Sequence, residues 1–204
     1  MLGCIINEEA MPSKPKKEEI PMESGESSYR RFLDGDESAF DDIVKQLFHS
    51  LVFFINGYVH DVYAAEDIAI DVFSELIVHK HRYNFKVSLK TYLFMLGKSR
   101  ALNFLKRKKV IATTDISELS DIADETTLLE ELVLKEERKR IVNTAITNLP
   151  QDMREVVHLI YFEDMSYAEA ANIMKKNKKQ IDNLLYRAKN ELRLILGEDG
   201  KQLL

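Results

Sequence analysis

The chain has a single cysteine, Cys4, in 204 residues. An internal disulfide framework is therefore impossible, and a reducing compartment, the cytoplasm, fits this usage. Glycine and proline are scarce too, at seven and four residues, and no segment shows the period-two alternation of a strand. A turn-rich β architecture is excluded. No apolar run approaches the roughly 20 residues of a membrane span, so membrane insertion is not expected. The opening MLGCIINEEA lacks the basic start and sustained apolar stretch of a secretory signal. No glycine-rich phosphate loop occurs, and His79 and His81, two apart, point to different sides of a helix with no carboxylate or cysteine at ligand spacing. Nothing indicates catalysis, a cofactor, a metal or a small-molecule substrate.

What the sequence does have is apolar residues at i, i+3 and i+4 almost everywhere after Ser38, which predicts an all-α chain. Residues 1–28 are polar, hold three of the four prolines, and read as a disordered tail that cannot bury enough apolar area to offset ordering entropy. A helix from Ser38 places Phe40, Ile43, Val44, Leu47, Phe48, Leu51, Phe54 and Ile55 on one face, and a bend follows near Gly57 to Asp61. A second, from about Tyr63 to His81, turns Ile68, Val72, Leu76 and His79 or Lys80 inward, with Glu66, Asp67, Asp71 and Glu75 mostly opposite. A third runs from Ser88, a suitable cap, to about Lys108. Together they make one small helical domain over residues 29–110. Residues 111–127, including TTDISELSDIADETT, form an acidic linker.

A second helical domain then spans residues 128–204. Its first helix stops at Pro150, and a further one runs from Gln151 to Phe162. Another opens at Ser166 with Ser166 and Glu169 as a capping box and ends near Met174. The last begins at an Asn177/Gln180 capping pair, turns Ile181, Leu185 and Ala188 inward, and stops at Gly197. A short helix, a break of a few residues and a longer helix form a helix-turn-helix, whose second helix enters the major groove of DNA.

Net charge is −5, yet charge is laid out in blocks. Lys80 to Lys109 carries ten Lys and Arg and no acid; Thr113 to Glu131 carries seven acids and no base. Lys175 to Arg193 sets seven bases against Asp182 and Glu191. Two basic blocks around an acidic one form a layout that a diffuse solubilising charge would not produce, so the net charge does not count against nucleic acid as a partner.

The segments LPQDMREVVHLIYFEDMSYAEAANIM and NKKQIDNLLYRAKNELRLIL resemble the promoter-binding C-terminal domain of bacterial RNA polymerase sigma factors. LDGDESAFDDIV, AEDIAIDVFSELIVHKHRY and SLKTYLFMLGKSRALNFLKRKK are similar to the opening, core-binding and promoter-melting segments of their first helical domain, and the short form resembles the extracytoplasmic-function (ECF) group. This resemblance implies a subunit that directs core polymerase to promoters without performing chemistry itself. The implied partners are core polymerase (the coiled coil of its largest subunit, and the flap), promoter DNA and, as for many members, an inhibitory anti-sigma factor. Glu66, Asp67, Asp71 and Phe73 fall on the core-binding positions. For the single-stranded minus-ten element the candidates are Asn84, Phe85, Lys86, Lys90, Lys98, Arg100, Asn103, Lys106 and Arg107, with Tyr83 and Phe85 placed in a loop where a flipped base can stack. For the duplex minus-thirty-five element they are Lys178, Lys179, Asp182, Asn183, Tyr186 and Arg187: Arg and Asn suit base edges, and lysines at the helix start suit phosphates. Lys175, Lys176 and Lys179 stand where glycine, an aliphatic residue and another glycine are frequent, and Ser99 and Asn103 replace Asn and Asp, so the sequence preference is this chain's own. The rival reading is a free-standing helix-turn-helix regulator of duplex DNA, which would not need the aromatic-interleaved block before residue 110.

Overall fold

The computed structural model describes residues 24–112 and 141–200; the expected tail, up to residue 23, and the acidic linker, from residue 113, lie outside these. The described residues form helices α1 (Gly25–Leu33), α2 (Ser38–Val59), α3 (Val62–Val78), α4 (Leu89–Ala112), α5 (141–147), α6 (Gln151–Val157), α7 (Tyr167–Met174) and α8 (Lys178–Gly200). No strand occurs among them. None of these helices is long and apolar enough to cross a membrane.

Helix α1 lies partly in the stretch expected to be a disordered tail. Ser24 caps it by accepting from the Ser27 backbone N–H, Glu26 stands in the first turn and Arg30 and Arg31 in the last, each charge on the favourable end of the helix dipole. Its Tyr29 is wholly buried. The Tyr29 hydroxyl donates toward the carbonyls of Leu76 (3.2 Å) and Lys80 (2.8 Å), groups at the end of α3 that have no partner within the helix. Burial raises the pKa of that hydroxyl to about 12, with Tyr92 adding to the shift. Tyr29→Phe should lower stability by about 1 kcal/mol in urea unfolding, the net worth of a hydrogen bond.

Helices α1 to α4 pack on one another, with Ile43, Leu51, Ile55, Val72, Leu89 and Leu93 at the centre. Gly97 lets α4 ride close on α2, because a Cβ there would stand 2.9 Å from Leu51 Cδ1. Helix α3 is shorter than expected, ending at Val78, so His79 and Lys80 are exposed rather than inward. Asp61 caps its start by accepting from the Ala64 N–H at 3.1 Å, and the Ser88 hydroxyl does the same for α4 through Thr91 N–H at 3.2 Å.

Helices α6, α7 and α8 form the second group. The helix expected over Gln151 to Phe162 changes pitch at its middle: a π turn, His158–Phe162, follows Val157, and Glu163 N–H bonds back to His158 O at 3.1 Å. Such wide turns swing side chains off the register that 3.6 residues per turn would give. The capping box at Ser166 and Glu169 is fully formed. Asn177 and Gln180 exchange bonds of 2.8 and 2.9 Å at the start of α8, and α8 breaks at Gly197, where φ is 62°. The two groups are not held apart: α7 packs directly on α4.

Candidate nucleic-acid interface

Helix α8 divides cleanly into two faces. Ile181, Leu184, Leu185 and Ala188 are buried against α6 and α7, which leaves Lys178, Lys179, Asp182, Asn183, Tyr186 and Arg187 exposed together on the opposite side. The turn before it is set by Lys175, whose φ of 54° ends α7 in the left-handed region. Lys178 and Lys179 occupy the positive end of the helix dipole, which a phosphate would turn from an unfavourable to a favourable position.

In the first group the candidates scatter more. Asn84 and Lys86 are exposed in the loop before α4, where Asn84 Oδ1 accepts from Lys86 N–H at 3.2 Å. Phe85 is half-buried with φ of 59°, a left-handed conformation that is strained for a bulky residue. Its ring lies 4.6 Å from Tyr83 and 6.1 Å from Tyr29, with Arg30 over one face at 4.9 Å. Tyr83 does not form an open stacking platform: it is buried, bonded to Val87 O at 2.7 Å and packed edge-on against Tyr29. Asn103, Lys106 and Arg107 are exposed along α4. Arg100 is engaged, bonding Glu75 and reaching Asp71 at 3.3 Å, and its hydrogen bond is the main reason the Glu75 carboxyl sits below its ordinary pKa.

On α3, Glu66, Asp67 and Asp71 are exposed, but Phe73 is not. It is buried with its ring 6.2 Å from Phe40 and 6.0 Å from Phe48, so it shapes the core and is unavailable as a docking contact. What residue-by-residue matching missed is the outer apolar stripe of Tyr63, Ile70 and Ile77, spaced by seven and so aligned along one side. Asp67 falls within that stripe, with Glu66 and Asp71 flanking it. The signal was present in the sequence, as apolar positions left over once the inward face had been assigned.

Three comparisons bear on this arrangement. The family described as "Sigma-70, region 4" matches residues 139–192, a segment that holds α6, α7 and the greater part of α8. The ECF RNA polymerase sigma factor SigW of Bacillus subtilis is 26% identical over 170 residues, covering 78% of this chain and 89% of that protein. SigM of the same organism, also an ECF sigma factor, is 21% identical over 155 residues, covering 76% and 93%. Over most of its length, then, this chain is similar to ECF RNA polymerase sigma factors. Its fold also matches that of the sigma factor RpoE from Bartonella quintana, solved in complex with the anti-sigma factor NepR, at a TM-score of 0.61 with 23% identity, over 78% of this chain and 98% of that one.

In this chain the two helix groups meet through charge. Lys98 Nζ lies 2.6 Å from Glu155 Oε1, and the pair is almost sealed, with side chains 17% and 4% exposed. Lys98 also lies 5.8 Å above the Tyr58 ring. Lys90 Nζ lies 2.6 Å from Glu163 Oε2 and bonds the Glu163 carbonyl at 2.9 Å. Glu163 further accepts from Ser50 and stands 3.3 Å from His158 Nε2. Burial by itself would raise the Glu163 carboxyl, but the nearby His158 imidazole and bonds from Lys90 and Ser50 more than offset it and hold the pKa at about 2. A third acid, Glu169, accepts at Oε1 from Ser88 (2.8 Å) and Thr91 (3.2 Å) at the start of α4. The π turn completes the seam, laying His158 5.2 Å from Phe53, 5.9 Å from Phe54 and 5.7 Å from Phe162.

Proposed function

We propose that this chain binds core RNA polymerase through α3 and directs initiation by holding the promoter at two places. The first unit, over residues 29–110, captures the single-stranded minus-ten element with the loop at Asn84 to Lys86 and with α4. The second, over residues 128–204, reads the duplex minus-thirty-five element with α8. The observation that carries this reading is α8 itself, a capped second helix of a helix-turn-helix with six polar or aromatic side chains exposed on one face. On α3, an apolar stripe rimmed by acids suits a protein partner, since interface cores are apolar and their rims polar. Free-standing duplex regulation would leave that stripe unexplained. An anti-sigma factor, the partner captured with the Bartonella quintana relative, belongs to the partner set proposed for this chain.

The test is transcription in vitro on a genomic template pool: core polymerase with this protein should start at promoters that core alone ignores. An identical transcript set with and without the protein overturns the proposal. Within α8 the roles divide. Arg187→Ala should cost about 1–3 kcal/mol at the preferred promoter and relax sequence choice, whereas Lys178→Ala should weaken all duplexes similarly and reduce the salt slope by about one. Binding-site selection at two salt concentrations separates the two.

A further inference from the structure

Between α2 and the start of the second helix group lies a cavity of about 290 Å³, near the lower end of the size range of small-molecule sites. Its wall is aromatic, with Phe53, Phe54, His158 and Phe162 among the lining residues. The His158 ring lies close to parallel with Phe54, at 19°, and with Phe162, at 23°. Among the described residues, the buried side-chain atoms without a hydrogen-bond partner are Asn56 Oδ1, Tyr58 OH, Arg154 Nε and His158 Nε2, and all four residues line this one cavity. His158 Nε2 still has Glu163 at 3.3 Å, and Tyr58 stands beside Glu155. That leaves an acceptor from α2, Asn56 Oδ1, and a donor from α6, Arg154 Nε–H. Buried polar atoms are ordinarily paired, so two orphans on one cavity call for an explanation. The guanidinium is also fixed in place: Arg154 Nη1 bonds Thr147 O at 3.2 Å and Nη2 bonds Gln151 Oε1 at 2.9 Å, while Gln151 Nε2 bonds Gly57 O of α2 at 3.1 Å.

We infer that this cavity binds a small uncharged aromatic molecule whose ring carries a carboxamide, or the equivalent lactam edge. The ring suits the aromatic wall. The polar edge follows from the two orphan atoms, because Arg154 Nε–H lacks an acceptor and Asn56 Oδ1 lacks a donor, and a carboxamide supplies both on adjoining atoms. A carboxylate would satisfy Arg154 but would set acceptor against acceptor at Asn56 and bring an anion to a cavity that Glu155 also lines. A cationic amine would suit Asn56 and meet the guanidinium. A site that pairs both a donor and an acceptor rejects analogues lacking either one, since the buried partner is then left unpaired. With Asn56 on α2 and Arg154 on α6, the occupant bridges the two helix groups. The residues that hold it are distinct from those proposed for promoter and core polymerase, so failure of one proposal leaves the other standing.

The test titrates the nitrogen-15-labelled full chain with benzamide, acetophenone and benzoate. These probes have nearly one shape and present a donor with an acceptor, an acceptor alone, and an anion. Two-dimensional N–H spectra report the Arg154 Nε–H, the Asn56 side-chain amide and the Gly57 backbone N–H directly. Benzamide should shift all three saturably, with a Kd of about 1 mM, as suits so small a ligand. It should bind about fivefold more tightly than either analogue, the worth of one hydrogen bond. Asn56→Leu should erase the advantage of benzamide over acetophenone, and Arg154→Met should weaken benzamide by about the same fivefold. The wild-type ranking of the three compounds decides the matter even where a variant fails to fold. Absence of saturable shifts, shifts confined to residues away from the cavity, or equal affinity for the three compounds overturns the inference. Preference for benzoate overturns it too, by making the site one for anions.

Discussion

Lys98→Ala is expected to weaken the packing of α4 against α6 and α7 by roughly 3–5 kcal/mol, because it strands the Glu155 carboxylate in a site where its side chain is 4% exposed. The attraction lost is the smaller part of that cost. The larger part is a desolvated charge left without its partner, beside the Tyr58 hydroxyl, whose own ionisation burial and Glu155 already oppose. The molecule can escape the penalty by letting the two helix groups part, so the loss should register first as opening and only then as unfolding. Small-angle scattering and a urea titration on the same variant distinguish these, the first changing at denaturant concentrations where helix content is intact. Lys98→Met with Glu155→Leu should recover most of the loss, since replacing a buried pair by apolar residues of similar volume is neutral or stabilising. An unaltered radius of gyration and unaltered stability for Lys98→Ala would show that the pair carries none of the packing.

Ile70→Glu should abolish most core-polymerase binding. Ile70 lies at the middle of the α3 stripe and is 53% exposed, so the change costs the fold little. A charge buried against an apolar partner surface costs about 2 kcal/mol or more, roughly thirtyfold in Kd. Asp67→Lys, at the polar part of the same face, should act less strongly and with a marked dependence on salt. Native helix content by circular dichroism and an unchanged core affinity in a titration with labelled protein would remove α3 as the docking face.

How much of this was legible in the chain depends on the range of the interaction. The inward face of α8 and its Asn177/Gln180 cap are local patterns, set by residues three and four apart, and the sequence shows them directly. So are the Ser166/Glu169 box and the long stripe of α2. Helix α1 was missed because Gly25 to Ser28 has the composition of a tail; what orders it is Tyr29, which bonds carbonyls 47 and 51 residues away. Glu155 reads as a solvent-facing acid by every short-range rule, and it is buried only because Lys98, 57 residues earlier, meets it. The π turn leaves no compositional trace, although it decides where His158, Phe162 and Glu163 point. The resemblance sets Phe73 among the core-binding positions, whereas the inward face of α3 is broad enough to include Ala65, Ile68, Ala69, Val72, Phe73 and Leu76.

Glu169 divides its two carboxylate oxygens between the two halves of the molecule. Oε2 accepts from the Ser166 backbone N–H at 2.9 Å and hydroxyl at 2.8 Å, sealing the start of its own helix, while Oε1 reaches across to Ser88 and Thr91. Ser88 is divided in the same way, since its hydroxyl oxygen caps α4 through the Thr91 N–H while its hydrogen points to Glu169. Parting the halves therefore breaks only the bonds that cross the seam and leaves both helix ends tied off. Each half is a finished piece, whose helix ends would not fray at the surface that parting exposes.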